Sequence, residues 1–192
     1  MKKIFQFSLG AAFIAAMFTF QGCSKIGSVV KIPDVSFTGA STDITLPPTS
    51  DTTAQAAIGE QQLKYNIDSM IKAQSSGLAS FSSIKSIKIS SITLTLLDGN
   101  SANNFANFTY VGATFNSDAN NGNYDPYNIA YIESNPDVYS TTLTPPVLSA
   151  DQDVKKYFNS NMTFYYIMVA KLRRPTTTTL HCHVDITYDI SF

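Results

Sequence analysis

A chain of 192 residues with 13 basic and 14 acidic side chains is long enough for one domain with a substantial core, and its net charge of −1 supplies no basic face. That balance argues against the clustered positive surface that nucleic acid demands, so no nucleic acid is expected as a partner. With only two cysteines, the domain must draw its stability from its core and not from a disulfide framework.

The first residues read as an export signal. Lys2 and Lys3 form a positive n-region, Leu9 to Phe20 an apolar h-region, and Gly22 is the small residue a peptidase needs before its cut. The stretch Phe20-Gln21-Gly22-Cys23 resembles a lipobox, the recognition site of bacterial lipoprotein signal peptidase, in the looser form of Bacteroidota-type lipoproteins, where Phe20 and Gln21 replace the usual Leu and Ala or Ser. The resemblance implies a signal peptide over 1–22, lipid on Cys23, and a mature chain held at the bacterial envelope on the outer membrane. An uncleaved membrane helix fits less well, because Ile4 to Phe20 is at the short limit for spanning and is interrupted by Gln6 and Ser8. Loss of Lys2 and Lys3 leaves 11 basic against 14 acidic residues, a net charge of −3. At about 3.3 Å per extended residue, residues 24–31 form a tether reaching about 26 Å. Residues 32–192 are then a single domain near the membrane, and Cys182, without an intramolecular partner, is expected as a small buried hydrophobe.

Val35 and Phe37 alternate with polar neighbours as a first strand, and Pro47-Pro48 closes the next segment, Ile44 to Leu46. Asp51 or Thr52 can cap a helix running to about Ala73, with Ala56, Leu63, Ile67, Met70 and Ile71 on one side and Gln61, Gln62, Lys64, Asp68 and Lys72 on the other. Gly59 weakens its first half. From Ile84 to Leu97 the chain alternates, but Ile87 and Ile89 are out of step with Ile92, Leu94 and Leu96, which predicts a bulge at Ser90-Ser91. Asp98-Gly99-Asn100 marks a turn. Phe105, Phe108, Tyr110 and Phe115 belong to following strands or their edges, 116–128 to a polar loop, and Ile129 to Glu133 and Val138 to Leu143 to short strands. Ser149 to Gln152 reads as a capping box before a brief helix through Val154, Tyr157 and Phe158. Met162 to Ala170 is apolar on both alternating faces, as expected of a central strand. Leu180 to Phe192 alternates throughout, with His181, His183, Asp185, Thr187, Asp189 and Ser191 on the wet face. The pattern predicts a mainly β chain: an antiparallel β-sandwich, immunoglobulin-like or jelly-roll-like, with one amphipathic helix near its start and a short helix before the last two strands.

Three groups of residues carry candidate chemistry. His181, His183 and Asp185 share one strand face and combine two imidazoles with a carboxylate, a donor set suited to zinc or copper. At about 6.6 Å per two residues they converge on one ion only if the strand bends or a neighbour supplies a ligand, so no metal or other cofactor is assigned. Asn116 to Asp125 places oxygen ligands at alternate positions, as calcium loops do, but its glycine arrives one residue late and Tyr127 stands where the bidentate Glu belongs. The same run offers Asn123, Tyr124 and Tyr127, residue types that suit recognition: rigid amphipathic rings beside adaptable amides.

Catalytic spacing is lacking: there is no GxSxG, HExxH, P-loop or GxGxxG sequence, and Glu60 and Glu133 form no paired pattern. Asp51-Thr52-Thr53 and Asp68-Ser69-Met70 match a short acceptor pattern for O-glycosylation at Thr52 and Ser69 in exported Bacteroidota proteins. The segment Asp153 to Phe158 and the terminal Ile186 to Phe192 are similar to small β-sandwich lipoproteins of Bacteroidota, which implies no active site. The reading expected from these residues is a membrane-anchored, non-enzymatic envelope module, structural or binding a partner protein or glycan. The alternatives are a carrier of an apolar ligand between sheet and helix, and an enzyme built on carboxylates.

Overall fold

Period-two alternation builds the first of two antiparallel sheets. In the computed structural model the described residues are 34–38, 41–117, 127–148, 150–158 and 162–192, and the chain divides after Ile32, so all of them belong to the unit Pro33–Phe192. Strand β9 (Leu180–Ser191) buries Leu180, Cys182, Val184, Ile186, Tyr188 and Ile190. Beside it runs β4 (Ser86–Leu96), whose register with β9 shifts between Ile89 and Ser91. That is the expected bulge, and it brings Ile87, Ile89, Ile92, Leu94 and Leu96 onto the same buried face. The other edge of β9 is shared by β1 (Val35–Thr38) and β2 (Thr42–Leu46), and β7 (Thr142–Leu143) completes the five-stranded sheet on β4.

The second sheet has four strands in the order β3 (Gln55–Tyr65), β8 (Met162–Leu172), β5 (Phe108–Ser117), β6 (Tyr127–Ile132). Strand β8 is internal, as its apolar run predicts. Here the sequence reading needs correction. Residues 55–65, expected within a helix, are a strand paired along its length with β8, and only α1 (Ile67–Gln74) is helical. Its side chains are good helix formers, but a weak local preference yields to a full ladder with an internal strand. Asn66 starts the helix by accepting the Ser69 amide at 2.9 Å, and Ile67 and Ile71, one turn apart, are buried.

Smaller differences have local causes. Val138 and Tyr139, expected in a strand, are 65% and 59% exposed and only Thr142–Leu143 pairs. The helix expected after Gln152 is one 3-10 turn, Lys155–Tyr157, organised by Asp153, whose carboxylate takes the amides of Ile87 and Lys155 at 2.9 Å each. Ser149, the first residue of the expected capping box, lies outside the described residues. The polar loop is shorter than 116–128, since β5 includes the buried Asn116 and ends at Ser117, and Tyr127 opens β6.

The two sheets bury their apolar faces against each other, so the architecture is the expected β-sandwich. Phe115 lies within 5.1–6.4 Å of Tyr127, Tyr157, Phe158 and Tyr166, ring centre to ring centre, and closes one part of the interior with aromatic edges and faces. Among the described residues every buried side-chain nitrogen and oxygen has a hydrogen-bond partner. Among them, too, no helix is long and apolar enough to cross a membrane.

Candidate functional site

Both outer faces of the sandwich follow from strand pairing, and they differ in chemistry. The outer face of the five-stranded sheet is a ladder of small polar and charged residues: Thr95 opposite His183, Thr93 opposite Asp185, Lys88 opposite Asp189. Its two histidines are each turned onto a separate carboxylate. His181 Nδ1 lies 2.8 Å from Asp98 Oδ2, and His183 Nδ1 lies 2.5 Å from Asp43 Oδ1 on β2. Asp185 sits 3.4 Å from His183 Nε2 and accepts the Ser41 hydroxyl at 2.5 Å. Among the described residues no three His, Cys, Asp or Glu side chains are grouped as a metal site would require. His181 therefore pairs with Asp98, while His183 lies between Asp43 and Asp185, so the three residues are divided between two clusters and do not form one ligand set.

These pairs shift the groups in them. The Asp43 hydrogen bond holds His183 above the ordinary imidazole value, with help from the Asp185 charge and against partial desolvation. Desolvation pushes Asp98 up, but the amide and ring of His181 outweigh it and hold the carboxyl below its ordinary value. Cys182 is wholly buried, and burial pushes its thiol up to about 12, so this cysteine offers no thiolate near neutrality.

Of the expected recognition residues, Asn123 and Tyr124 lie outside the described residues, as do most positions of the calcium-like run. Tyr127 is half-buried: its ring meets Phe115 and Tyr157 at 5.6 and 5.5 Å, and its hydroxyl donates to Gln152 at 2.9 Å. Its ring is thus engaged in packing and leaves only part of its surface for recognition. The two candidate acceptors differ: Thr52 is half-buried, whereas Ser69 is exposed on the first turn of α1.

The outer face of the four-stranded sheet is different, and sequence reasoning did not identify it. Register places Gln55, Lys171 and Tyr110 in one cross-strand row, with Glu133 just beyond the end of β6. Ala57, Val169, Gly112 and Tyr131 form the next row, and Glu60, Ile167, Thr114 and Asn128 the one after. Gln62 and Tyr165 follow, with the Gln62 amide donating to the Tyr165 hydroxyl at 2.8 Å. The Tyr110 ring lies across Gly112: a Cβ on that glycine would stand 2.7 Å from the Tyr110 Oη and 3.0 Å from its Cε1. Tyr131 runs nearly parallel to it, 20° between planes and 5.9 Å between ring centres. Tyr110, Tyr131 and Tyr165 are all half-buried, as Tyr127 is. Burial pushes the Tyr110 phenol up, against a hydrogen bond from Gln55, so the hydroxyl is neutral at physiological pH.

The inter-sheet cavity lined by Ile44, Leu94, Tyr166, Met168, Val184 and Ile186 has a volume of about 10 Å³, room for one water at most. An apolar ligand does not fit there, so the carrier alternative gains no support from this cavity. The doublet Arg173-Arg174 is committed to structure: Arg173 donates to the carbonyls of Ala106 and Asn135 at 2.8 and 2.6 Å, and Arg174 grips Asp137 through both oxygens. No family model matches the chain, and no curated protein matches it. Among solved structures it is similar to a chain from Desmodium yellow mottle tymovirus, at 12% identity over 83% of this chain and 87% of that one, with a TM-score of 0.27. At that score the likeness carries no functional argument.

Proposed function

We propose that this chain is a lipid-anchored protein of the bacterial envelope, held on the outer membrane through Cys23, whose sandwich is a non-enzymatic module binding an envelope protein or glycan. The observation that supports it is the outer face of the four-stranded sheet. Three half-buried tyrosines, Tyr110, Tyr131 and Tyr165, stand there among the exposed side chains of Gln55, Glu60, Gln62 and Glu133. Rings with a polar tip, fixed on rigid strands, give contact area at little entropic cost, and flanking amides and carboxylates give direction. The lipobox-like Phe20 to Cys23 supports the anchor, and acyl chains contribute about 0.8 kcal/mol per buried methylene, so more than one makes a durable attachment.

Two measurements test this reading. Metabolic labelling with an alkynyl fatty acid should mark the wild-type chain in the membrane fraction, and Cys23→Ala should abolish both label and retention. The purified full chain in detergent should be retained, saturably, by an envelope polysaccharide or envelope protein fraction of the organism that makes it, and released by untagged chain. Retention by neither fraction overturns the binding-module reading.

A further inference from the structure

We infer that Tyr110 and Tyr131 form a carbohydrate platform for a chain of β-linked pyranose units with equatorial hydroxyls. This rests on the binding-module reading and narrows its partner to a glycan. The platform begins with a glycine. At Gly112 any side chain would collide with the Tyr110 ring, whose Oη and Cε1 come to 2.7 and 3.0 Å of the Cβ position, so the bare backbone is what lets the ring lie flat on the sheet. Tyr131, directly opposite Gly112 on β6, stacks its ring offset from that of Tyr110, with 20° between planes and 5.9 Å between centres. Two near-parallel, half-buried rings offset from one another make an aromatic patch longer than one ring.

The chemistry around the rings selects among partners. The floor next to them is shallow, made of Ala57 and Val169 in the row of Gly112. Around it stand an amide, a carboxylate and an ammonium group, on Gln55, Glu133 and Lys171, all exposed. A pyranose with equatorial hydroxyls matches both parts. Its C–H face stacks on an aromatic ring, and its hydroxyls, which radiate in the ring plane, meet donors and acceptors at the rim. A protein partner wants a larger apolar centre. The large apolar residues exposed among those described, Leu78, Leu97, Val138, Tyr139 and Leu148, belong to none of these rows.

The test uses the full chain in detergent, titrated calorimetrically with cellohexaose and with chitohexaose. Binding of at least one is expected. Tyr110→Ala and Tyr131→Ala should each weaken it about tenfold, Tyr110→Phe should keep most of it, and Tyr139→Ala, an exposed ring elsewhere, should change nothing. Gly112→Ala keeps both tyrosines but displaces the ring of Tyr110, and should weaken binding by a similar factor. A second readout is independent of variant folding. Saturation of tyrosine resonances in the wild-type chain should transfer to pyranose protons of one ring face. Absence of binding to both hexasaccharides, or binding that the tyrosine and glycine variants leave unmoved, overturns the inference. If the hexasaccharides fail while an envelope protein fraction is still retained, only the platform falls; if nothing is retained, the module reading falls with it.

Discussion

Tyr166 and Tyr188 join their phenolic oxygens at 2.7 Å across the interior of the sandwich, one from each sheet, with both residues buried. A hydrogen bond between two long side chains at this depth fixes how the sheets sit over one another, which apolar contact alone specifies less sharply. Tyr188→Phe and Tyr166→Phe should each lower unfolding free energy by about 1 kcal/mol, and the double variant should cost less than their sum because the second change removes a bond already lost. Denaturant unfolding of the four proteins measures the coupling. Strict additivity would show that the bond contributes nothing.

The pairing of His183 with Asp43 predicts how stability responds to pH. The folded state holds the imidazole above its ordinary value of 6.5, so below that value both folded and unfolded chains carry the proton and the contribution is fully present. As pH rises past 6.5 and through the folded-state value the contribution is lost, so the melting temperature should fall across that window. The effect is small: the side chain is 34% exposed, and a solvated pair contributes under about 1 kcal/mol. Asp98 works in the opposite sense, since its depressed carboxyl contributes above the ordinary value of 3.8 and ceases to do so as pH falls below it. Thermal melts from pH 4 to 9 should show His183→Gln losing the alkaline-side decline, and 1 M salt should flatten it in the wild type.

Gly59 presses β3 against β2. A Cβ there would stand 2.5 Å from Ile44 Cγ2 and 2.6 Å from Leu46 Cδ2, with the Thr45 carbonyl at 3.0 Å, so the contact cannot accept even a methyl group without moving buried side chains. In a helix, Gly59→Ala would stabilise. In this strand the same change should destabilise by about 1–3 kcal/mol. Denaturant midpoints of the two proteins settle the sign.

That sign reversal shows where the sequence was legible. Strand β9 could be read because one side is core and the other solvent over its whole length, and the bulge in β4 could be read because a phase change from Ile89 to Ile92 has few other causes. Strand β3 could not. Gln61, Gln62, Leu63 and Lys64 are good helix formers, and what overrides them is a partner strand about a hundred residues away. The tyrosine face was hidden for the same kind of reason. Tyr110 and Tyr131 become neighbours only through the register of β5 with β6, and the slip between Phe108 and Tyr110 puts Phe108 inside and Tyr110 outside. The histidines were placed correctly on the wet face of β9. Their carboxylate partners, Asp43 and Asp98, come from other elements and left no local signal.

Asn135 presents the sharpest case of a distant polar residue holding a loop. It is buried, its amide donates to the carbonyls of Phe105 and Phe108 at 2.7 and 3.1 Å, and its own carbonyl takes Arg173 Nη2 at 2.6 Å. Those carbonyls belong to the 3-10 turn and strand start that place Phe105 and Phe108 in the core. Asn135→Leu keeps the volume but withdraws both donors from buried acceptors, each worth about 1–3 kcal/mol when left unmade, so a loss of at least 2 kcal/mol is expected. Arg173→Met keeps the aliphatic stem and removes only the guanidinium of a side chain that is 25% exposed, so water can reach the freed carbonyls and the change should cost less. Arg173 bonds to the backbone carbonyls of Ala106 and Asn135, which Asn135→Leu retains, so a double variant that departs from the sum reports movement of the turn and not loss of that bond. Hydrogen exchange adds a local check. In Asn135→Leu the amide of Asn107, bonded to the Asn104 carbonyl at 3.0 Å within this turn, should lose protection before the amides of β9. Equal loss at both would show that the turn and the sheets open as one unit.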